Sequence, residues 1–258
     1  MNILLIGDIV GKPGREAVAG LLPDFIIDKK IDLVVANGEN AAGGSGLNSK
    51  CANSLFVKGV DVLTSGDHIF KRRDVLEIID NPYILRPENL PPLTPGKGHC
   101  IIEKNGIKVG VLNLQGRVFM HPIECPFRAA EEAIKLLKKE TNIILVDMHA
   151  EATSEKIALS YFLDEKVSLV AGTHTHVQTA DEKILSGGTA YITDVGMTGP
   201  CDSVIGRKKE SVIERFVTGM PTRFEVADDD IQMQGVIVTI NEKTAKATAI
   251  KRIKECLS

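Results

Sequence analysis

The stretch LLIGDIVGKPGR, residues 4–15, decides how the rest of the chain is read. An apolar run leads into glycines and a lysine, the outline of a phosphate-cradling loop. That motif needs four residues between its glycines and a Ser or Thr after the lysine to meet Mg²⁺. Here three residues separate Gly7 from Gly11, and Lys12 is followed by Pro13, which has no backbone N–H to offer a phosphate. The stretch reads instead as a buried strand, NILLIG, ending on Asp8, and the question becomes what a carboxylate does there.

Outward from that strand the same pattern recurs. DLVVANG, DVLTSG, VGVLNLQG, NIILVDM and SLVAGT are short apolar runs that end in polar or Gly-rich turns. Continuous apolar runs of this length suit strands covered on both faces. Between them REAVAGLLPDFIIDKK, NSKCANSLFVKG, RRDVLEIID and RAAEEAIKLLKKE space their apolar residues along one helical face, with Pro23 expected to kink or split the first. The alternation predicts a layered α/β architecture. After about residue 220, QGVIVTI and KATAIKRI flank NEKTAK as a closing β-hairpin. PENLPPLTPGKG (87–98) reads as a surface loop, and the whole of 1–258 as one domain.

A net charge of −3 gives no electrostatic footprint for a nucleic-acid partner. The five cysteines (Cys51, Cys100, Cys125, Cys201, Cys256) include no CxxC pair, so they suggest neither a thiolate zinc site nor a disulfide framework, and a reducing cytoplasm fits. No apolar stretch approaches the roughly 18 residues of a membrane span. A homo-oligomer is left open.

Metal-competent side chains fall where the strands end. Asp8 follows NILLIG, Glu39 and Asn40 follow DLVVANG, and Asp67 and His68 follow DVLTSG; His149 follows NIILVDM, and His174 and His176 follow SLVAGT. In an open α/β sheet, ligands gather beyond the carboxyl ends of the strands, so these groups are expected to converge. One Asp after a strand is ordinarily a cap or turn residue, and an isolated HTH is as often structural as ligating. Five such features together point to metal. Carboxylates with imidazoles suit Mn, Fe or Zn, and the set exceeds what one tetrahedral ion needs, so two ions sharing a carboxylate is the economical reading. His99 and His121, in Pro-rich or loop-like surroundings, read as solvated loop residues.

The ordered set GD (7–8), NGEN (37–40), GDH (66–68), MHAEATSEK (148–156) and GTHTH (172–176) resembles the calcineurin-like metallophosphoesterases, in particular the bacterial YmdB-type cyclic-nucleotide phosphodiesterases. The likeness runs nearly end to end, through GKPGR, RPEN, TPGKG, NLQGR and AYITDVGMTGP. It implies a layered α/β/β/α sandwich with helices on the outer faces. It also implies two divalent or mixed-valence ions, iron or manganese ahead of zinc or magnesium. Glu39 would bridge them, Asp8, Asn40 and His176 would complete one site, and Asp67, His149 and His174 the other. His68 would donate the proton.

Two departures from the wider superfamily are shared with the YmdB-type branch: Asp8-Ile9-Val10 replaces a DxH pair, and Glu39 stands where an Asp commonly bridges. A third is not shared, because that branch has Asn-His where this chain has Asp67-His68. An Asn lends a neutral carbonyl oxygen, whereas Asp67 adds a negative charge, favouring metal retention over the ions' pull on water and phosphate. Alternatively, Asp67 could hold His68 as a charged partner.

By resemblance the substrate is a small phosphodiester such as a 2′,3′-cyclic or 3′,5′-cyclic nucleoside monophosphate, attacked by hydroxide. Arg117 of NLQGR is a candidate to steady the phosphate. AAGGSGLN (41–48) and TDVGMTGPCDS (193–203) are candidate substrate-facing segments, because glycine lets backbone approach a ligand. A phosphomonoesterase or nucleotidase using the same site, and a metal-binding regulatory protein with weak catalysis, are the competing functions.

Overall fold

A computed structural model describes residues 1–257. In chain order, β1 (Asn2–Ile6), β2 (Asp8–Ile9), α1 (Gly11–Lys29), β3 (Leu33–Asn37), α2 (Ser49–Val57) and β4 (Val62–Thr64) come first. A 3₁₀ turn (Arg73–Glu77) precedes β5 (His99–Lys104), β6 (Ile107–Gln115), α3 (Pro126–Leu137), β7 (Ile144–His149), α4 (Thr153–Leu163) and β8 (Leu169–Thr173). Then come β9 (Lys183–Ile184), β10 (Ala190–Ile192), β11 (Met197–Pro200), α5 (Lys209–Thr218), β12 (Ile231–Ile240) and β13 (Ala247–Cys256).

The strands form two sheets. In the first, β1 lies between β12, its antiparallel neighbour, and β3, its parallel one; β4 follows β3, and β11 leads from β12 to β2. The hairpin partner β13 runs along the other edge of β12. The second sheet runs β5-β6-β7-β8-β10-β9, parallel from β6 to β10.

Alternate residues of each apolar run serve different layers. Ile3, Leu5, Leu33 and Val35 face the second sheet's Val111, Leu145 and Leu169 in a core between the sheets. Leu4, Ile6, Val34 and Ala36 face the other way, onto Ala17, Val18 and Leu22 of α1 and Leu55 of α2. Likewise Leu112, Leu114, Ile144 and Val146 pack on Ala130 and Ile134 of α3 and Leu159 of α4. The result is an α/β/β/α sandwich. With both faces covered, these strands have no polar alternation to show in sequence.

Three details differ from expectation. Pro23 neither splits nor ends α1, which runs from Gly11 to Lys29. The ring forfeits one backbone bond, and burial of Ala17, Val18, Leu22 and Phe25 on both sides of it outweighs that loss. RRDVLEIID forms a single 3₁₀ turn rather than an α-helix. His99 is no loop residue: it opens β5, and its Nδ1 lies 3.1 Å from Glu88 Oε2. His121 is exposed outside any element, and residues 87–98 contain neither helix nor strand.

Candidate metal centre

The carboxyl ends of β1, β3, β4, β7 and β8 open onto one cavity of about 320 Å³, whose wall includes Glu39, Asn40, His68, His174 and His176. The site has two halves that meet at Glu39.

In the first half, ligand atoms of Glu39, Asp67, His149 and His174 all lie within 4.8 Å of one another. His149 Nε2 is 3.2 Å from Glu39 Oε1 and 3.3 Å from Asp67 Oδ1, and His174 Nδ1 is 3.0 Å from His149 Nε2. The orientation of each ring follows from what lies behind it. The Thr173 hydroxyl donates to Asp147 Oδ1 at 2.7 Å, so it is an acceptor for His149 Nδ1 at 2.9 Å. In the neutral ring the proton therefore sits on Nδ1, and the Nε2 lone pair points into the cluster. His174 Nε2 faces Glu151 Oε2 at 3.2 Å, which leaves Nδ1 for the centre. Gly66 makes room for this packing: a Cβ there would lie 2.0 Å from His149 Cδ2.

The second half holds Asp8, Asn40 and His176. His176 Nδ1 donates to the Ile205 carbonyl at 3.0 Å, which directs Nε2 toward Asp8 Oδ1, 3.6 Å away. Asp8 Oδ2 accepts from the His174 N–H, while Oδ1 is buried without a hydrogen-bond partner among the described residues. An orphaned buried carboxylate oxygen is destabilising unless a cation completes it. Asn40 Oδ1 accepts from His68 Nδ1 at 2.8 Å, and its Nδ2 faces Glu39 Oε1 and His176 Nε2. To offer its oxygen as a ligand, the amide would have to turn over and release His68.

The electrostatics fit a cation at the centre. Burial pushes the Asp8 and Asp67 carboxyls up, but facing imidazoles, His176 and His149 above all, bring both well below the ordinary carboxylate range. Burial pulls His149 and His176 down, and the Glu39 and Asp8 carboxylates more than reverse it. His174, desolvated and facing His149, is lowered. Behind them Asp147, wholly buried, is pushed up to about 6. A metal ion bound there would displace any protons on these donors, since imidazole and carboxylate ligate in their deprotonated forms.

The GTHTH loop is held from behind. Asp194 accepts from Thr175 N and Oγ1, at 3.1 and 2.8 Å, and from Lys156 Nζ at 2.8 Å, with Lys156 and Asp194 both fully buried. These bonds hold His174 and His176 at φ values of 99° and 63°, backbone that non-glycine residues seldom adopt.

Of the expected site residues, the structure brings together Asp8, Glu39, Asn40, Asp67, His68, His149, His174 and His176. Arg117 is not among the residues lining the cavity: Glu155 accepts from its backbone N–H, and its Nη2 lies against Cys125 Sγ. Gly44 of AAGGSGLN lines the wall, whereas no residue of 193–203 does. Asp147, Thr173, Asp194, Lys156 and Arg207 were not singled out from the sequence. Asp147 carried a signal, being a charge inside an otherwise apolar run, two residues before His149 and on the same strand face.

A family model described as YmdB-like protein matches residues 4–253. The chain belongs to the YmdB-like family. This YmdB-like chain is 48% identical, over 98% of its length and 96% of the relative's, to the 2′,3′-cyclic-nucleotide 2′-phosphodiesterase of Bacillus subtilis (strain 168). The crystal structure of a hypothetical protein from Thermus thermophilus matches it with a TM-score of 0.93 at 41% identity, covering 99% of both chains. That of a novel phosphatase from Mycoplasma pneumoniae matches with a TM-score of 0.93 at 35% identity, covering 99% of this chain and 93% of the other. The YmdB-like protein is accordingly an enzyme of the metal-dependent phosphoesterase class. No helix among its described residues is long and apolar enough to cross a membrane.

Proposed function

We propose that this enzyme hydrolyses small phosphodiesters, 2′,3′-cyclic nucleoside monophosphates foremost, with 3′,5′-cyclic ones in the same class. The observation that carries the reading is the convergence of Glu39, Asp67, His149 and His174 within 4.8 Å at the cavity holding Asn40, His68 and His176. The B. subtilis relative's name supports the substrate class.

In this reading Asp67, His149 and His174 hold one ion, Asp8, Asn40 and His176 a second, and Glu39 both; iron or manganese suits the donors. Bound there, the ions supply Lewis acidity to the phosphoryl group and make water acidic enough to attack near neutral pH. His68 handles the other proton. Its backbone N–H is committed to Glu39 Oε2 at 3.0 Å and its Nδ1 faces the Asn40 amide, so Nε2 is the atom left to exchange a proton. Asp67 Oδ2 lies 3.6 Å from that Nε2, and the ring is about one-third exposed to the cavity. From there Nε2–H protonates the ribose oxygen as its bond to phosphorus breaks, and an imidazole suits this because it gains and loses protons near neutrality.

The test is hydrolysis of bis-p-nitrophenyl phosphate and of 2′,3′-cyclic AMP by chelator-stripped protein with Mn²⁺ or Fe²⁺ added back, in parallel with Asp67→Asn. Metal-dependent turnover by both forms is the expected result. Turnover by the Asn form alone would mean that Asp67 detunes the site and would favour a regulatory role. A p-nitrophenyl monoester hydrolysed in preference to either diester would favour a phosphomonoesterase.

A further inference from the structure

We propose that Arg207 binds the non-bridging phosphoryl oxygens of the substrate, an inference that rests on the phosphodiesterase reading above. Among the described residues lining the cavity, Arg207 is the one Lys or Arg. It shares that wall with Asn40, His68, His174 and His176, so an anion entering the site meets its guanidinium.

The residue is held in place for such a role. Val204 and Arg207 exchange backbone hydrogen bonds of 2.9 and 3.0 Å across a two-residue turn. The central residues, Ile205 and Gly206, have φ of 47° and 90°, the left-handed pair that a type I′ turn requires. A β-branched residue there is an outlier, and the surroundings impose it. Ile205 O accepts from His176, Gly206 O accepts from Ala227 N at 3.1 Å, and Arg207 pairs with Val226 as an antiparallel bridge. Strain of this kind gathers where geometry serves a ligand.

The guanidinium crosses Gly44, donating from Nη2 to that carbonyl, and a Cβ on Gly44 would come within 2.5 Å of Nη1. One donor is thus anchored, and the others are uncommitted among the described residues. Burial lowers the pKa of Arg207 and no neighbouring charge opposes it, since no carboxylate pairs with it among the described residues. A half-buried guanidinium without a counter-charge favours an incoming anion, and its planar fork matches two phosphoryl oxygens. The cavity otherwise presents carboxylates, from Glu39 and Glu151 in its wall to Asp8 and Asp67 beside them. A fixed cation in the same wall orients an anionic diester in a way metal charge alone does not.

The experiment compares wild-type protein, Arg207→Gln and Arg207→Lys, all reloaded with Mn²⁺. It measures KM and kcat for 2′,3′-cyclic AMP, calorimetric binding of inorganic phosphate, and manganese content. For the Gln form, KM should rise and phosphate binding weaken by about 10- to 100-fold, as charge-assisted hydrogen bonding to the phosphoryl group is lost. The value of kcat should stay within about threefold, because such an interaction is made equally in the ground and transition states. Manganese content should be unchanged and the Lys form intermediate. Unchanged KM and phosphate binding would overturn the proposal. So would a fall in manganese content alongside both, since Arg207 would then only brace the turn behind His176. If the wild type hydrolyses no diester, the phosphodiesterase reading fails by itself. The phosphate calorimetry still decides Arg207: weaker binding by the Gln form sustains its role, and equal binding ends it.

Discussion

On one side of Glu39, the donor atoms of Asp67, His149 and His174 crowd together, and the outward nitrogen of each imidazole is tied to a protein acceptor, Thr173 or Glu151. On the other side, Asp8 and His176 stand 3.6 Å apart, Asp8 Oδ1 has no hydrogen-bond partner among the described residues, and His176 is aimed by a carbonyl on the Val204–Arg207 turn. The crowded half draws its imidazoles from the ends of two neighbouring strands, β7 and β8, and is backed by a buried Asp147 network. The sparse half depends on a strained turn. The difference predicts that two ions bound there would be held with unequal firmness, and that dialysis against a chelator should empty the sparse half first.

The largest effect should come from abolishing the difference altogether. Glu39→Gln removes the carboxylate that both halves are proposed to share, and turnover of bis-p-nitrophenyl phosphate should fall on the order of a thousandfold, with both metals lost by elemental analysis. Retention of either metal would show that Glu39 is not shared. Next, Lys156→Met leaves Asp194 buried and uncompensated behind the loop that carries His174 and His176. Urea unfolding should show a loss of about 3–5 kcal/mol, and both halves should weaken together.

Thr173→Val sharpens the contrast, because it touches only the crowded half. A metal titration should show one class of site weakened by about 10- to 100-fold and the other unchanged; equal weakening would erase the distinction between the halves. The smallest effect is expected away from both halves. Burial pushes the Asp181 carboxyl up, but the hydroxyls of Thr179 and Thr193 and the Thr193 N–H hold it below its ordinary 3.8. A depressed carboxyl contributes stability that is present above the unfolded value and lost as pH falls through the folded one. Asp181→Asn should therefore lower stability by about 1 kcal/mol at pH 7, with the deficit closing below pH 3.8. A deficit constant down to the lowest pH would show that the carboxylate's charge is irrelevant.

The sheet strands were legible because burial on both faces turns them into unbroken apolar runs, and the convergence of Glu39, Asp67, His149 and His174 followed from their places after those runs. What escaped notice lacked that pattern for a physical reason. Helix α4 buries Glu155, Lys156 and Ser160 alongside Leu159 and Leu163, so its inward face is half polar. Helix α5 buries only Val212 and leaves Ile213, Phe216 and Val217 exposed, so its apolar residues mark no core. Arg207 was hidden because its position depends on a turn whose φ values Ile205 would not ordinarily adopt. Arg117 follows a strand as the ligands do, but Glu155 accepts from its backbone N–H and it does not line the cavity.

The place of β1 between β3 and β12 has a consequence for biosynthesis. Residues 2–6 complete their hydrogen bonds only with residues 235–239. At ribosomal rates those partners are made roughly 10–50 s later. Meanwhile β1, β3, β4 and their two helices can assemble, leaving one apolar strand edge exposed to the cell. Asp8, Glu39 and Asp67 are synthesised with that early portion, but the imidazoles at 149, 174 and 176 come much later. The nascent chain therefore carries the three carboxylates and His68 before the imidazoles at 149, 174 and 176 exist. The full set of donors exists only once the sandwich has nearly closed.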